Sequence, residues 1–263
     1  MENEKIKIIE CPRDAMQGIK RDIPTKDKAN YINSLIQVGF DVIDFGSFVS
    51  HKAVPQMRDT SQVLDLLNLK RNTSLLAVVL NKRGALDASV FDQISILGYP
   101  LSISEIFQKK NSNHDIQSSL SILDEIYNIC IQKNKTLLVY ISMAFGNPYG
   151  EFWSIDVLLN YISKVMKKNI SMISLADTIG NSHPHSIKSI YKAVSDNFPL
   201  LDVGLHLHSS PENAYKKIHT GWGVGCRRFD VTVNGYGGCP FADDKLVGNI
   251  STETILNFIA NEK

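Results

Sequence analysis

Hydrophobic positions along the chain follow two alternating rhythms. Short runs that read as strands recur near 6–10, 41–45, 75–80, 92–97, 137–142, 170–176, 202–208 and 229–233. Between them lie stretches whose apolar residues return every three or four positions. These fall near 25–38, 60–70, 82–89, 114–133, 154–168, 184–197 and 210–220, with a last one near 252–260. The first rhythm suits strands, whose side chains alternate between faces, and the second suits helices with one apolar stripe. Helix starts are marked by Pro24-Thr25, Asp115 and Ser154, and Gly39 marks a stop.

Eight strand-plus-helix units with no linker or low-complexity segment predict an α/β fold, a (β/α)8 TIM barrel forming one domain over 1–263. An open doubly wound sheet is the alternative. It would need a G-x-G-x-x-G after the first strand to bind a dinucleotide there, and the chain has neither that motif nor a P-loop.

Composition narrows the function classes. The 263 residues are 43% hydrophobic and 21% charged, with a net charge of +1. So small a charge gives no field for steering nucleic acid or an anionic membrane. The four cysteines, Cys11, Cys130, Cys226 and Cys239, lack zinc-ribbon or CxxC spacing and fit a reducing compartment. "MENEKIKIIE" is neither a signal nor a transit peptide, and "LLAVVL" is far short of a membrane span. The expectation is a soluble, cytoplasmic protein without a membrane partner.

In a barrel of this kind chemistry sits at the C-terminal ends of the strands. The first strand runs into Glu10, Arg13, Asp14 and Gln17, and the second ends with Asp44 and Ser47. The sixth ends with Asp177 and Thr178, and the seventh with "HLHSS". His206 and His208, two apart on one strand, face the same side while Leu205 and Leu207 face the other. A lone histidine there would most simply be a satisfied core residue. A same-facing pair plus a carboxylate makes an open N/O metal site, and Asp14, in the loop after the first strand, is the best carboxylate. His183 and His185 share the spacing but flank Pro184 where a helix begins, which reads as a solvated loop. Three glycines around Cys239 in "GYGGCP" suit a mobile loop holding a thiol near the mouth, although a plain turn would look the same.

With these residues in hand the chain resembles the 3-hydroxy-3-methylglutaryl-CoA lyase family, within the metal-dependent TIM-barrel lyases and synthases that share an Arg-Asp motif on the first strand. The likeness covers nearly the whole chain. It is carried by "PRDAMQ" (12–17), "SFVSHKAVPQMRD" (47–59), "KKNSN" (109–113), "GNPYGE" (146–151), "SLADTIG" (174–180), "HLH" (206–208), "GGCPFA" (237–242) and "GNISTE" (248–253).

The resemblance implies one Mg2+ or Mn2+ held by Asp14, His206, His208 and Asn249. It also implies cleavage of a 3-hydroxy acyl-CoA to acetoacetate and acetyl-CoA. Arg13 would stabilise the thioester enolate, Cys239 would be the general acid, and Asp14 or His206 the base. Glu253 matches the family's glutamate after the asparagine and is expected to support this catalytic set. Gln17, Asp44, Ser47 and Thr178 are expected on the substrate side, Asp44 also as a support like Glu253, with Lys109 and Lys110 near the CoA nucleotide and a homodimer as the assembly.

Several positions depart from the family. Cys11 replaces the glycine of "GPRDGLQ", Asp44 stands where "VIE" is usual, and Ser209-Ser210 follow the second histidine in place of Asp-Thr. The segment from Cys239 to Asn249 is one residue longer, and the usual helical tail is not present in these 263 residues. Rival readings are a related aldolase or Claisen-type synthase on the same scaffold, and a non-catalytic acyl-CoA-binding barrel.

Overall fold

A computed structural model describes residues 5–69, 72–238 and 247–261. The strands are β1 (Lys7–Glu10), β2 (Val42–Phe48), β3 (Ser74–Val79), β4 (Ile94–Ser102), β5 (Thr136–Ser142), β6 (Met172–Ala176), β7 (Asp202–His206) and β8 (Arg228–Val231). They pair in parallel, each with its neighbour in sequence, and β8 returns to β1 to close the barrel. The helices are α1 (Pro12–Gln17), α2 (Thr25–Val38), α3 (Thr60–Asp65), α4 (Lys82–Ser89), α5 (Glu105–Ser112), α6 (Ile116–Gln132), α7 (Ile155–Met166), α8 (Pro184–Asn197), α9 (Pro211–Gly223) and α10 (Thr252–Asn261). The closed sheet is the fold class that the alternating rhythms predict. Among the described residues no helix is long and apolar enough to cross a membrane.

Local chemistry sets the helix ends. Asp115 accepts a hydrogen bond from the Ser118 N–H at 2.6 Å, and Ser154 Oγ accepts one from Val157 N at 3.2 Å. Gly39 ends α2 in the left-handed region, φ 89°, with its N–H on Leu35 O. Apolar side chains on the outer face of the sheet, such as Ile43, Leu97 and Ile173, pack against Ile32, Leu123 and Leu158 of the helices.

The barrel interior holds a smaller cluster, Ile9, Cys11, Leu76, Ile96, Leu138 and Tyr140. Arg228 closes its floor. The guanidinium donates to Ser174 Oγ at 2.8 Å, Ile173 O at 2.6 Å and Asp202 O at 3.1 Å. A Cβ on Gly204 would lie 2.5 Å from Arg228 Nη1, so glycine there makes the floor possible.

Three local expectations change. Asp14 lies on the short helix α1, not in a loop, because Pro12 opens a helical turn directly after β1. The fourth strand runs to Ser102, beyond the expected 97, and α5 follows it unforeseen. Gly98 and Pro100 disguise that strand. Its pairing with β3 ends at Gly98, so Pro100 lies where only β5 is paired. The seventh strand stops at His206, and His208 belongs instead to an isolated antiparallel bridge with Asn249.

Glu10 faces away from the barrel mouth. It is fully buried, accepting hydrogen bonds from Val233 N at 2.9 Å and from the Thr252 hydroxyl. It thereby ties β1 to both sides of the segment between β8 and α10. Burial raises its pKa from 4.5 to about 7, against the two hydrogen bonds, with Glu253 adding to the rise. A carboxyl whose pKa is raised by folding stabilises the fold while it is protonated. That stability is lost as pH rises from about 4.5 through about 7. Glu10→Gln should therefore gain on the wild type across this window, by up to ~1.4 kcal/mol per pH unit. Denaturant unfolding at pH 5 and pH 8 measures the difference, and parallel curves for the two proteins would count against it.

Candidate active site

At the C-terminal mouth of the barrel lies a cavity of about 340 Å³. Its polar lining includes Gln17, Ser47, Asn111, Tyr140, Ser142 and Thr178, and its apolar wall Val49, Val54, Val78, Leu80 and Phe107. Arg13, Asp14, His206 and His208 reach it from three elements. Ligand atoms of Asp14, His206 and His208 lie within 4.8 Å of one another, and the two imidazole centroids are 5.4 Å apart. Asn249 joins them through its bridge with His208. Its Nδ2 donates to Asp14 Oδ2 at 2.7 Å and Tyr236 O at 3.0 Å, leaving its carbonyl oxygen as the atom to offer an ion.

Each histidine is oriented in the same way. Nδ1 of His206 contacts Asp230 Oδ2 at 3.2 Å, and Nδ1 of His208 contacts Thr178 O, also at 3.2 Å. Both partners are acceptors, so each Nδ1 donates and each Nε2 keeps its lone pair for the site. Nε2 of His208 is buried and has no hydrogen-bond partner among the described residues. Burial, aided by the neighbouring His206, lowers the His208 pKa to about 4. Burial also works against charge on His206, but the hydrogen bond to Asp230 and the charges of Asp230 and Asp14 outweigh it and raise its pKa. Burial opposes ionisation of Asp14 as well. There Arg13, the two histidines and Asn249 prevail and hold the pKa low. A carboxylate, a neutral imidazole with an orphaned nitrogen and an amide oxygen form a donor set that fits a divalent cation.

Lys217 of α9 fixes the backbone that carries His208. Its Nζ donates to His208 O at 2.6 Å and to Asp177 Oδ2 at 3.3 Å, and Asp177 Oδ2 also accepts from Ser182 N at 3.0 Å.

Arg13 lies beside this cluster and is almost wholly committed. Its Nε and Nη2 donate to Asp44, with Nη2 at 2.5 Å from Oδ2, while Nη1 donates to Asp14 Oδ1 and Gln17 Oε1, each at 3.0 Å. Asp44 is completely buried and does not line the cavity. The expectation that it contacts substrate is corrected: both its oxygens are taken up in aiming Arg13. Gln17 both lines the cavity and donates to Asp14 at 2.6 Å. Ser47 Oγ faces the site without a partner among the described residues, and Thr178 Oγ1 accepts from Met143 N at 2.9 Å. Glu253 is exposed and outside the lining. It accepts from Asn234 N at 3.0 Å, supporting the turn at 233–235. Cys239 lies outside the described residues. The glycines before it are described, and Gly237, at φ 89°, packs so closely on α1 that a Cβ would meet Asp14 O at 2.6 Å.

His183 and His185 are elsewhere: His183 caps α8, its Nδ1 accepting from Ser186 N. Three contributors had gone unrecognised, namely Asp230, Tyr140 and Lys217. Asp230 was open to detection, because Arg228 and Asp230 alternate with Phe229 and Val231 and so share the inward face of β8. Cys11 is a further surprise. Its thiol lies within 4.8 Å of ligand atoms of His206 and Asp230, and burial, with Asp44 and Asp230, pushes its pKa well up.

A closed parallel barrel with a candidate N/O metal centre and a clamped arginine at its C-terminal mouth is the framework of a (β/α)8 enzyme. The chain belongs to the HMGL-like family, which it matches over residues 5–263, and it is a carbon–carbon lyase. It is 32% identical over 245 residues to hydroxymethylglutaryl-CoA lyase YngG of Bacillus subtilis, covering 93% of this chain and 81% of that one. It is 33% identical over 260 residues to the mitochondrial hydroxymethylglutaryl-CoA lyase of Gallus gallus, covering 96% and 85%. Among solved structures, an HMG-CoA lyase from Acinetobacter baumannii in complex with coenzyme A and 3-methylmalate superposes with a TM-score of 0.92. It is 29% identical, with 100% of this chain and 85% of that one covered.

Proposed function

We propose that this protein is a divalent-metal-dependent hydroxymethylglutaryl-CoA lyase, cleaving 3-hydroxy-3-methylglutaryl-CoA to acetoacetate and acetyl-CoA. The observation that carries the reading is the convergence of Asp14, His206 and His208 beside the Arg13 guanidinium. The relatives named as lyases of this substrate support it.

Asp14, His206, His208 and Asn249 would hold Mg2+ or Mn2+. Bound there, the ion supplies Lewis acidity that polarises substrate oxygens and makes a hydroxyl a stronger acid. Of the two candidate bases, Asp14 keeps carboxylate lone pairs for the proton of the tertiary hydroxyl, whereas His206 could accept it only through the Nε2 that the ion would occupy. As that proton leaves, the hydroxyl carbon becomes the ketone of acetoacetate. The electron pair of the broken carbon–carbon bond passes to the thioester, forming its enolate. Arg13 faces the developing oxyanion, its orientation set beforehand by Asp44 and Gln17. Protonation of the enolate carbon by the Cys239 thiol yields acetyl-CoA. The apolar wall formed by Val49, Val54 and Leu80 keeps water from the enolate.

The test is direct: purified protein, Mg2+ and the hydroxymethylglutaryl thioester should release acetoacetate and acetyl-CoA in equal amounts. Thioester that is bound but never cleaved would make the protein an acyl-CoA-binding barrel.

A further inference from the structure

A guanidinium carries five N–H donors. In Arg13, Nε and one N–H of Nη2 go to Asp44, and the two of Nη1 go to Asp14 and Gln17. Among the described residues one N–H, on Nη2, has no acceptor and is left for a substrate oxygen. An enolate oxygen with a full negative charge is poorly served by a single donor, and the cavity offers another.

Tyr140 points inward from β5 and lines the same cavity. Its ring lies over Gly98, where a Cβ would meet Tyr140 Cε2 at 3.1 Å, and it makes an edge contact with the His206 ring at 5.7 Å. The residue is only 7% exposed, yet its hydroxyl has no hydrogen-bond partner among the described residues. A buried, unpaired hydroxyl costs stability, and a substrate oxygen arriving in the cavity would offset that cost. A phenol, whose ordinary pKa is ~10, keeps its proton at neutral pH.

We infer that Tyr140 is a catalytic residue whose hydroxyl donates to the thioester oxygen of the substrate, completing with Arg13 a two-donor site for the enolate. This deepens the lyase reading and rests on it. The physical logic is that of preorganised donors aimed where charge develops: the hydroxyl is already fixed and desolvated, so it need not reorganise during the reaction. The absence of a partner among the described residues also separates this role from a structural one. A tyrosine kept for packing would lose nothing in turnover when its hydroxyl is removed, and one kept for a hydrogen bond would lose stability.

The experiment compares Tyr140→Phe with the wild type in three measurements. These are steady-state cleavage of the hydroxymethylglutaryl thioester, thermal unfolding, and Mn2+ binding followed by electron paramagnetic resonance. The expected result is a kcat lower by ~10²-fold, a KM changed far less, an unfolding temperature equal to or above that of the wild type, and unchanged Mn2+ binding. Near-normal kcat in the folded variant would overturn the role of Tyr140 and leave the lyase reading standing. A kcat loss accompanied by a lowered unfolding temperature or weakened Mn2+ binding would overturn it too, making Tyr140 a structural support. A wild-type protein that cleaves no thioester would overturn the lyase reading and this inference together.

Discussion

Arg13→Met should lower kcat by ~10²–10³-fold with KM little changed. The reason lies in how the side chain is held. Burial works against a charged guanidinium, but Asp44 and Asp14 more than offset it and keep Arg13 protonated. The group is thus a desolvated cation with a fixed direction, and its remaining N–H gains most when the thioester oxygen becomes anionic. Methionine fills similar volume and donates nothing. Lysine should fail almost as badly, because a single ammonium cannot span Asp44, Asp14, Gln17 and the substrate at once. Removing the cation leaves Asp44 and Asp14 buried without it, so the variant should also unfold more readily, and kcat is to be read well below its unfolding temperature. A variant with near-normal kcat and a raised KM would make Arg13 a simple anchor for a substrate carboxylate.

The other large effect concerns the ion. Chelation with EDTA should abolish cleavage, and Mg2+ or Mn2+ should restore it. Binding has a signature independent of turnover. An ion that binds only the folded protein adds ~2.7 kcal/mol of stability at a concentration one hundred times its dissociation constant. His208→Ala should lose this increment, since it deletes the buried Nε2 that has no partner among the described residues. Asp230→Asn makes a subtler test. It leaves all four proposed ligands in place but weakens the acceptor that orients His206 through Nδ1 at 3.2 Å. Loss of such a supporting partner typically costs ~10–100-fold in metal affinity. Asp230→Asn with wild-type Mn2+ affinity would mean that His206 is not a ligand. Full activity in metal-free protein would remove the ion from the reaction altogether.

The rhythm of apolar residues was enough to place the helices other than α1 and α5, with α2, α4 and α8 falling on the expected residues. It also placed most of the strands, since burial on a helix or a strand leaves a local, repeating mark. It failed where that mark was broken. Gly98 and Pro100 hid the second half of β4, and the missing β-pattern after Glu10 concealed a helix that opens on proline. The strand-end inventory named Arg13, Asp14, His206 and Thr178, all of which line the cavity. It left Asp44 both as a substrate contact and as a support, because position at a strand end does not tell whether a side chain meets substrate or another side chain; its hydrogen bonds to Arg13 make it the support.

The two histidines show where local pattern and tertiary structure divide. Their spacing alone implied that they share a side. The strand, however, ends at His206, and it is the bridge with Asn249, some forty residues later in sequence, that holds His208 in place. Asp230 stands beside His206 because β7 pairs with β8 in the register that sets His206 opposite Asp230. Tyr140 reaches the mouth because β4 places a glycine beneath its ring. The sequence by itself determined most of the elements, the arginine–aspartate pair and the two histidines, since each depends on residues close together in the chain. Which nitrogen of each histidine is free, how many donors Arg13 has left and which hydroxyl lacks a partner were decided only by barrel closure. Register across the sheet sets those contacts, and local periodicity carries no record of it.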